Sequence, residues 1–246
     1  MAAPTFTCKT NEKLKGTAMI EYLFIDLDDT ILDFQKAERI GLENTFRHYG
    51  VEPTEETVSL YLQINAARWR ALEQGKMTRK QVNEGRFTEL FRQLGREVDG
   101  EVCAAFYLSQ LALTHDYLPG AEAAVQALSK KYRIFVASNG NSAVQGPRMA
   151  NSGLNAYVEK AFVSEALGEN KPSKAYFDLC FAQIPGFDPD KAIMVGDSLT
   201  SDIQGGINAG IRTCWVNTFG KQNTTDIRPD YEIASISQLK ALLEKL

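Results

Sequence analysis

The feature that most constrains this chain is a set of five short, unbroken apolar runs, each closed by polar turn residues: Tyr22 to Ile25, Ile134 to Ala137, Ala161 to Val163, Ala192 to Val195 and Thr213 to Val216. A strand with one face in water alternates apolar and polar residues, so runs without alternation suit strands covered on both faces, as in a parallel sheet. Helical patterns lie between most of them, over 120–130, 173–183 and 199–209. A closing helix near 237–246 puts Leu239, Leu242, Leu243 and Leu246 on one face. The alternation predicts an α/β fold, an open parallel sheet with helices on both faces.

One interval breaks the pattern. From Phe34 to about Tyr117 no strand can be drawn, but four helices can, over 35–49, 55–74, 78–94 and 100–114. Leu42, Phe46 and Tyr49 share a face of the first, and Val58, Leu62, Trp69 and Leu72 a face of the second; Gly50, Gly75 and Gly95 mark ends. The expected organisation is an α/β core from 19–33 and 118–246, and an α-helical cap domain inserted at 34–117 over the carboxyl end of the first strand. Residues 1–18 form an N-terminal extension to which no function is assigned.

Composition bounds the partners. A net charge of −4 leaves no broad cationic surface for a nucleic-acid polymer, so a small anionic substrate needs a local positive site. Cys8, Cys103, Cys180 and Cys214 are scattered and read as reduced thiols, the last two as small buried hydrophobes. The first residues lack a secretory signal and no later stretch is apolar enough to span a bilayer, so a cytoplasmic protein is expected, a monomer or small homo-oligomer without membrane partners.

The chemistry concentrates at two strand ends. Tyr22-Leu23-Phe24-Ile25 runs straight into Asp26, Asp28 and Asp29, and Ala192-Ile193-Met194-Val195 runs into Gly196-Asp197, with Asp202 five residues on. Ligands of open α/β sheets bind outside the carboxyl ends of the strands, so both clusters are expected to face one crevice. Like charges about 4 Å apart repel by roughly 4 kcal/mol at an effective dielectric near 20, so the clusters call for a cation. All-oxygen ligation by a few carboxylates suits Mg2+. Taken singly, each of these aspartates reads equally well as a helix cap or as a residue of a solvated loop.

IDLDDT, Ser138, Lys171-Pro172 and GDSLTSD resemble the four ordered motifs of the haloacid dehalogenase superfamily, and the helical insert falls where that superfamily carries its mobile cap. The resemblance implies a Rossmann-like core and a magnesium-dependent phosphatase that hydrolyses a small phosphomonoester through an aspartyl-phosphate on Asp26. An aspartate of ordinary pKa, about 3.9, is already ionised at neutral pH and needs no activating base. Asp28 would protonate the leaving oxygen and later activate water, its pKa raised by desolvation beneath the cap. Ser138 and Asn139 would bind the phosphoryl group with neighbouring backbone amides, and Lys171 would pair with Asp26 and the phosphoryl charge. Asp26, Asp197 and the backbone carbonyl of Asp28 would hold the metal, with Asp202 close by or acting through water. Dehalogenases of the superfamily lack a carboxylate at the position of Asp28, so the resemblance favours phosphoryl transfer.

Within that superfamily, SNGNSAVQGPRMANSGL and the segment from Phe162 to Asn217 resemble pyrimidine 5'-nucleotidases with a helical cap. Two departures stand out: Ser138 replaces the subgroup's usual threonine, keeping the hydroxyl, and Gly146-Pro147 replaces a basic residue. Proline there alters the entry to the following helix and leaves Arg148 as the local cation. The competing readings are a sugar-phosphate phosphatase, a phosphomutase, which would return the phosphoryl group to its substrate, and a non-enzymatic binding module, against which the intact motif residues argue. His48 and His115 are expected to be structural cap residues. Tyr61, Trp69 and Phe87 are read as packing, with stacking on a base as the alternative, and Gly205-Gly206 and Gly210 as a close contact and a helix end.

Overall fold

All five apolar runs are strands, and a sixth joins them. The structure is a computed structural model that describes residues 19–246; the expected extension at 1–18, with Cys8, lies outside the described residues. In chain order the elements are β1 (Tyr22–Ile25), α1 (Phe34–His48), α2 (Glu55–Glu73), α3 (Arg79–Gln93), α4 (Gly100–Leu111), α5 (Ala121–Leu128), β2 (Arg133–Ser138), α6 (Ser142–Asn151), β3 (Lys160–Val163) and α7 (Ser164–Leu167). There follow α8 (Lys174–Phe181), β4 (Ala192–Gly196), a π-helical turn (Leu199–Ile203), α9 (Gln204–Ala209), β5 (Arg212–Val216), β6 (Tyr231–Ile233) and α10 (Leu239–Leu243). The strands pair in parallel in the order β3-β2-β1-β4-β5-β6. The edge strand β6 has only three residues, two of them partly or fully exposed, so it leaves no apolar run to read.

Alternate residues of each strand feed opposite faces. Leu23, Ile25, Ile134, Val136, Ile193 and Val195 join one cluster with Val125 and Leu128 of α5 and with Leu239, Leu242 and Leu243 of α10. Phe24, Phe135, Ala137 and Met194 point the other way, onto Tyr176, Phe177 and Cys180 of α8. With both faces buried, the missing alternation has its physical cause. Gly206 lets α9 lie against β5: a Cβ there would sit 2.6 Å from Thr213 Cγ2, and Gly210 ends that helix with φ +76°. The closing helix carries its expected apolar face, with Leu246 half-buried beside it.

The four helices of the insert pack on one another around Leu42, Phe46, Tyr61, Phe87, Phe91 and Tyr107. Their starts are chemically marked. Asp33, Thr54 and Asp99 accept from first-turn amides, and Thr78 with Gln81 forms a reciprocal capping box. Leu62, expected on the inward face of α2, is 42% exposed; the buried stripe runs instead through Val58, Tyr61 and Leu72, one position round the helix. A second departure concerns Pro147. It lies inside α6 and not at its entry, because the helix starts five residues earlier at Ser142, capped by Asn141, whose side chain accepts from Ala143 N at 2.9 Å. Among the described residues no helix is long and apolar enough to cross a membrane.

Candidate active site

The chain runs from β1 to β2 and β3 on one side and returns to β4 and β5 on the other, which opens a crevice at the carboxyl ends of β1 and β4. Asp26 follows β1 and Asp197 follows β4. Together with Asp202, on the π-helical turn, they place carboxylate oxygens within 4.8 Å of one another. Gly196 is needed for this approach, since a Cβ there would fall 2.2 Å from Asp202 Oδ2. Ser198 N donates to that same oxygen at 3.0 Å.

Lys171, only 1% exposed, reaches in from the loop before α8. Its Nζ donates to Asp26 Oδ1 at 2.7 Å, to Asp202 Oδ1 at 2.7 Å and to the Ala137 carbonyl at the end of β2. Burial alone would lower its pKa, but the Asp202 and Asp26 carboxylates outweigh burial and hold the ammonium above its ordinary value. One ammonium does not balance the carboxylates. Burial pushes Asp26 up to about 7, against the pull of Lys171, and the Asp197 and Asp202 carboxyls are raised as well. An Asp26 with ordinary acidity, as expected from the sequence, is therefore not what the protein alone provides, because the strand end is desolvated. A divalent cation would restore it. An all-oxygen set with unbalanced negative charge is the donor chemistry magnesium prefers. Lys221, unanticipated in the sequence, pairs with Asp197 Oδ2 at 2.9 Å from the solvent side.

Asp28 turns away from this trio. Its carboxylate is held by Arg148 Nη1 on one oxygen and Gln145 Nε2, at 2.6 Å, on the other; both residues lie on α6. Arg148 is fully buried, and its Nε donates to the carbonyl of Thr114, where the chain returns from α4. The Asp28 side chain is 26% exposed and paired with Arg148. Asp29 behaves as a lone aspartate usually does: its Oδ1 accepts from Phe34 N and Gln35 N at the start of α1, in a left-handed turn of φ 58°.

Ser138 is buried, and its Oγ accepts from Gly140 N at 3.0 Å and Gln145 Nε2 at 3.1 Å, which leaves the hydroxyl proton free to donate. Asn139 binds the Lys171 loop through Lys171 N and Lys171 O and also donates to Ser201 Oγ. Gln145 was not anticipated, since an amide on a helix has no signature without its partners. The same holds for Arg79 at the start of α3, which donates to the carbonyls of Asn139 (2.6 Å) and Gly140 (3.1 Å) and to Ser164 and Asn170, tying the insert to the core beside these motifs.

A cavity of about 480 Å³ runs from Asp26, Lys171 and Asp197 to Trp69, Asn83 and Arg86 on the insert. Trp69 faces it, beneath Arg79, whereas Tyr61 and Phe87 are buried packing. His48 stacks on Phe106 at 4.1 Å, and His115 sits on the return segment with Nδ1 3.2 Å from the Leu113 carbonyl.

Behind the cavity wall lies Glu38, whose carboxyl burial pushes up to about 7 from 4.5, against the pull of Arg86. An acid with a raised folded pKa costs nothing below its ordinary pKa and its full penalty above the folded one, so it destabilises as pH rises. The displacement corresponds to roughly 3 kcal/mol at 1.36 kcal/mol per pH unit. Glu38→Gln is therefore expected to gain stability over the parent by up to about that amount at pH 8 and little at pH 4.5. Urea unfolding at the two pH values checks this; a difference independent of pH contradicts it.

The sheet order, the insert over β1 and the carboxylate-lysine cluster at the strand ends define a class, and residues 20–210 match the model of the haloacid dehalogenase-like hydrolases: the chain belongs to this family. Among its relatives it is 38% identical over 226 residues to the pyrimidine 5'-nucleotidase PynA of Streptococcus pneumoniae, covering 92% of this chain and 95% of that one. It is 34% identical over 225 residues to the pyrimidine 5'-nucleotidase YjjG of Escherichia coli, covering 92% and 98%. A crystal structure of the HAD-hydrolase YfnB of Bacillus subtilis bound to magnesium superposes with a TM-score of 0.88 at 38% identity, over 92% of this chain and 99% of that one.

Proposed function

We propose that the protein is a magnesium-dependent phosphatase of small phosphomonoesters, with pyrimidine nucleoside 5'-monophosphates as substrates and an aspartyl-phosphate on Asp26 as intermediate. The observation that carries the reading is the placement of Asp26 at the end of the central strand. Its Oδ1 is tied to a buried ammonium, and a second carboxylate, Asp28, is held separately in the same cavity by Arg148 and Gln145. Relatives named pyrimidine 5'-nucleotidase at 34–38% identity support the substrate class.

In this reading Lys171 fixes the orientation of Asp26, leaving Oδ2 to attack phosphorus while the bond to the ester oxygen breaks. The hydroxyl of Ser138 and the amides of the loop after β2 receive the phosphoryl oxygens. Asp28, aimed by Arg148 and Gln145, gives a proton to the leaving oxygen and takes one from the water that then cleaves the acyl phosphate. Asp26, Asp197 and the backbone carbonyl of Asp28 would hold the magnesium ion, with Asp202 adjacent. When bound, the ion supplies positive charge against the carboxylates and the phosphoryl oxygens. Residues 34–117 act as the cap over 19–33 and 118–246, with Arg79 as their tie.

A phosphate-release screen over nucleoside monophosphates and sugar phosphates tests this. UMP or CMP is expected to be turned over best, with release abolished by chelation and restored by magnesium. Preference for sugar phosphates, or release that survives chelation, contradicts the reading. A bisphosphate product points instead to a mutase.

A further inference from the structure

One buried cation in the insert has no part in the chemistry above. Arg79, Asn83 and Arg86 lie at i, i+4 and i+7 on α3, one stripe of the helix, and all three line the cavity. Arg79 is spent on the core. Arg86 is 4% exposed, and its guanidinium sits against the rings of Tyr107, Phe87 and Tyr61, 5.0, 5.3 and 5.8 Å from their centroids.

Its hydrogen bonds are too few for its position. Nη1 donates to Asn65 Oδ1 at 2.9 Å and Nη2 to Asn83 Oδ1 at a long 3.4 Å, while the buried Nε has no acceptor. Among the described residues Arg86 forms no ion pair within 4 Å; Asn65 bridges it to Glu38 by donating to Glu38 Oε1 at 3.1 Å, and the two charges attract across that bridge. A guanidinium has five donors and no acceptor, and leaving a donor unmet in a dry site is unfavourable by about 1–3 kcal/mol. Packing alone would have placed an apolar residue among those aromatics.

Each Nη nitrogen carries a second proton beyond the one given to Asn65 or Asn83, and as a cavity-lining side chain Arg86 can offer these to an acceptor on a molecule occupying the cavity. The cavity is also lined by Phe34, Leu108, Leu111 and Val144, apolar surfaces that suit a flat ring. Asp26 and Lys171 line the same cavity, so in the reading above the occupant carries its phosphate at those two residues. We infer that Arg86 is a specificity-determining residue that donates to a carbonyl oxygen on the ring of the substrate's base, the 2-carbonyl common to uracil, thymine and cytosine. This rests on the nucleotide-phosphatase reading above. Purine itself carries no carbonyl and leaves the guanidinium unmet, so its nucleotide is disfavoured.

The experiment compares the full chain with Arg86→Gln and Arg86→Lys, loaded with magnesium, on UMP, purine riboside 5'-monophosphate and p-nitrophenyl phosphate. In a second measurement, uridine inhibits p-nitrophenyl phosphate hydrolysis, which reads the subsite without nucleotide turnover. A charge-assisted hydrogen bond is worth about 1.5–3 kcal/mol. The ratio of kcat/KM for UMP over p-nitrophenyl phosphate is therefore expected to fall by roughly 10- to 150-fold in Arg86→Gln, with the inhibition constant for uridine rising by a similar factor. Arg86→Lys, which keeps the charge but loses the planar fork, is expected to fall between, and it serves if the glutamine variant does not fold. An unchanged ratio with unchanged uridine inhibition overturns the inference. So does equal turnover of UMP and the purine nucleotide by the parent. Turnover of p-nitrophenyl phosphate with none of any nucleotide refutes the substrate reading itself, which separates the two failures.

Discussion

Asp26→Asn is expected to lower phosphate release by about 10⁴-fold or more while leaving the chain at least as stable as the parent. An amide has no anionic oxygen with which to form an acyl phosphate, and loss of a covalent nucleophile removes the whole two-step route. Stability moves the other way. Burial already pushes the Asp26 carboxyl up to about 7, so the metal-free fold disfavours its charge, and a neutral amide relieves that cost. Lys171 still keeps Asp202 as its partner at 2.7 Å. Steady-state kinetics with a denaturant melt reads both effects. Activity within tenfold of the parent contradicts the assignment of Asp26 as nucleophile, and a variant that unfolds contradicts the stability expected from its raised carboxyl pKa.

Lys171→Met is expected to damage both fold and activity. The ammonium joins Asp26, Asp202 and the carbonyl that ends β2, and removing one partner of a buried ion pair leaves charge without compensation, a loss of about 3–5 kcal/mol. The sign with pH follows from the raised pKa values of Asp26 and Asp202: the folded state binds protons more tightly than the unfolded one, so their contribution falls as pH rises. Without metal the variant should therefore be weakest at pH 8 and recover toward pH 5. Activity should drop by roughly 10²- to 10³-fold, the range seen on losing a charged or oriented donor at a developing charge. A shift in unfolding free energy below about 1 kcal/mol contradicts the picture of Lys171 as the electrostatic centre of the site.

How much of this was legible in the sequence depends on the length scale of each signal. Tyr22 to Ile25 and Ala192 to Val195 are continuous apolar runs because β1 and β4 lie in the middle of a sheet buried on both faces, so they and the aspartates that end them could be read directly. The helices of the insert were legible through periodicity and through glycines at their ends, Gly50, Gly75 and Gly95, all at positive φ. Leu62 and Tyr61 show the limit of periodicity: neighbouring apolar residues differ by 100° round the helix, and which one faces inward is decided by the packing of α1, α3 and α4. β6, three residues at a sheet edge, had too little pattern to be seen.

Within the site the division is sharper. Asp26, Lys171, Asp197 and Asp202 come together as their motif order implies, because Asp26 and Asp197 follow β1 and β4, while Lys171 on the loop between α7 and α8 and Asp202 on the π-helical turn reach back to them. Asp28, Ser138 and Asn139 sit beside them, yet the partners that orient these three were hidden. Gln145 and Arg148 are more than a hundred residues from Asp28 in sequence, on a helix containing glycine and proline. Burial was hidden as well. The ordinary acidity of an aspartate holds in water, and only the folded chain shows that burial at the strand end raises the Asp26 carboxyl against the pull of Lys171.

Covalent transfer to Asp26 is read by trapping the intermediate. Asp28→Asn should still accept the phosphoryl group but hydrolyse it slowly, so acid quenching of this variant with magnesium and labelled substrate should capture the intermediate. Close to one phosphoryl group per chain is expected, on the peptide containing Asp26 and released by hydroxylamine as an acyl phosphate is. Phosphate release with no protein-bound label, or label on any other residue, would contradict it.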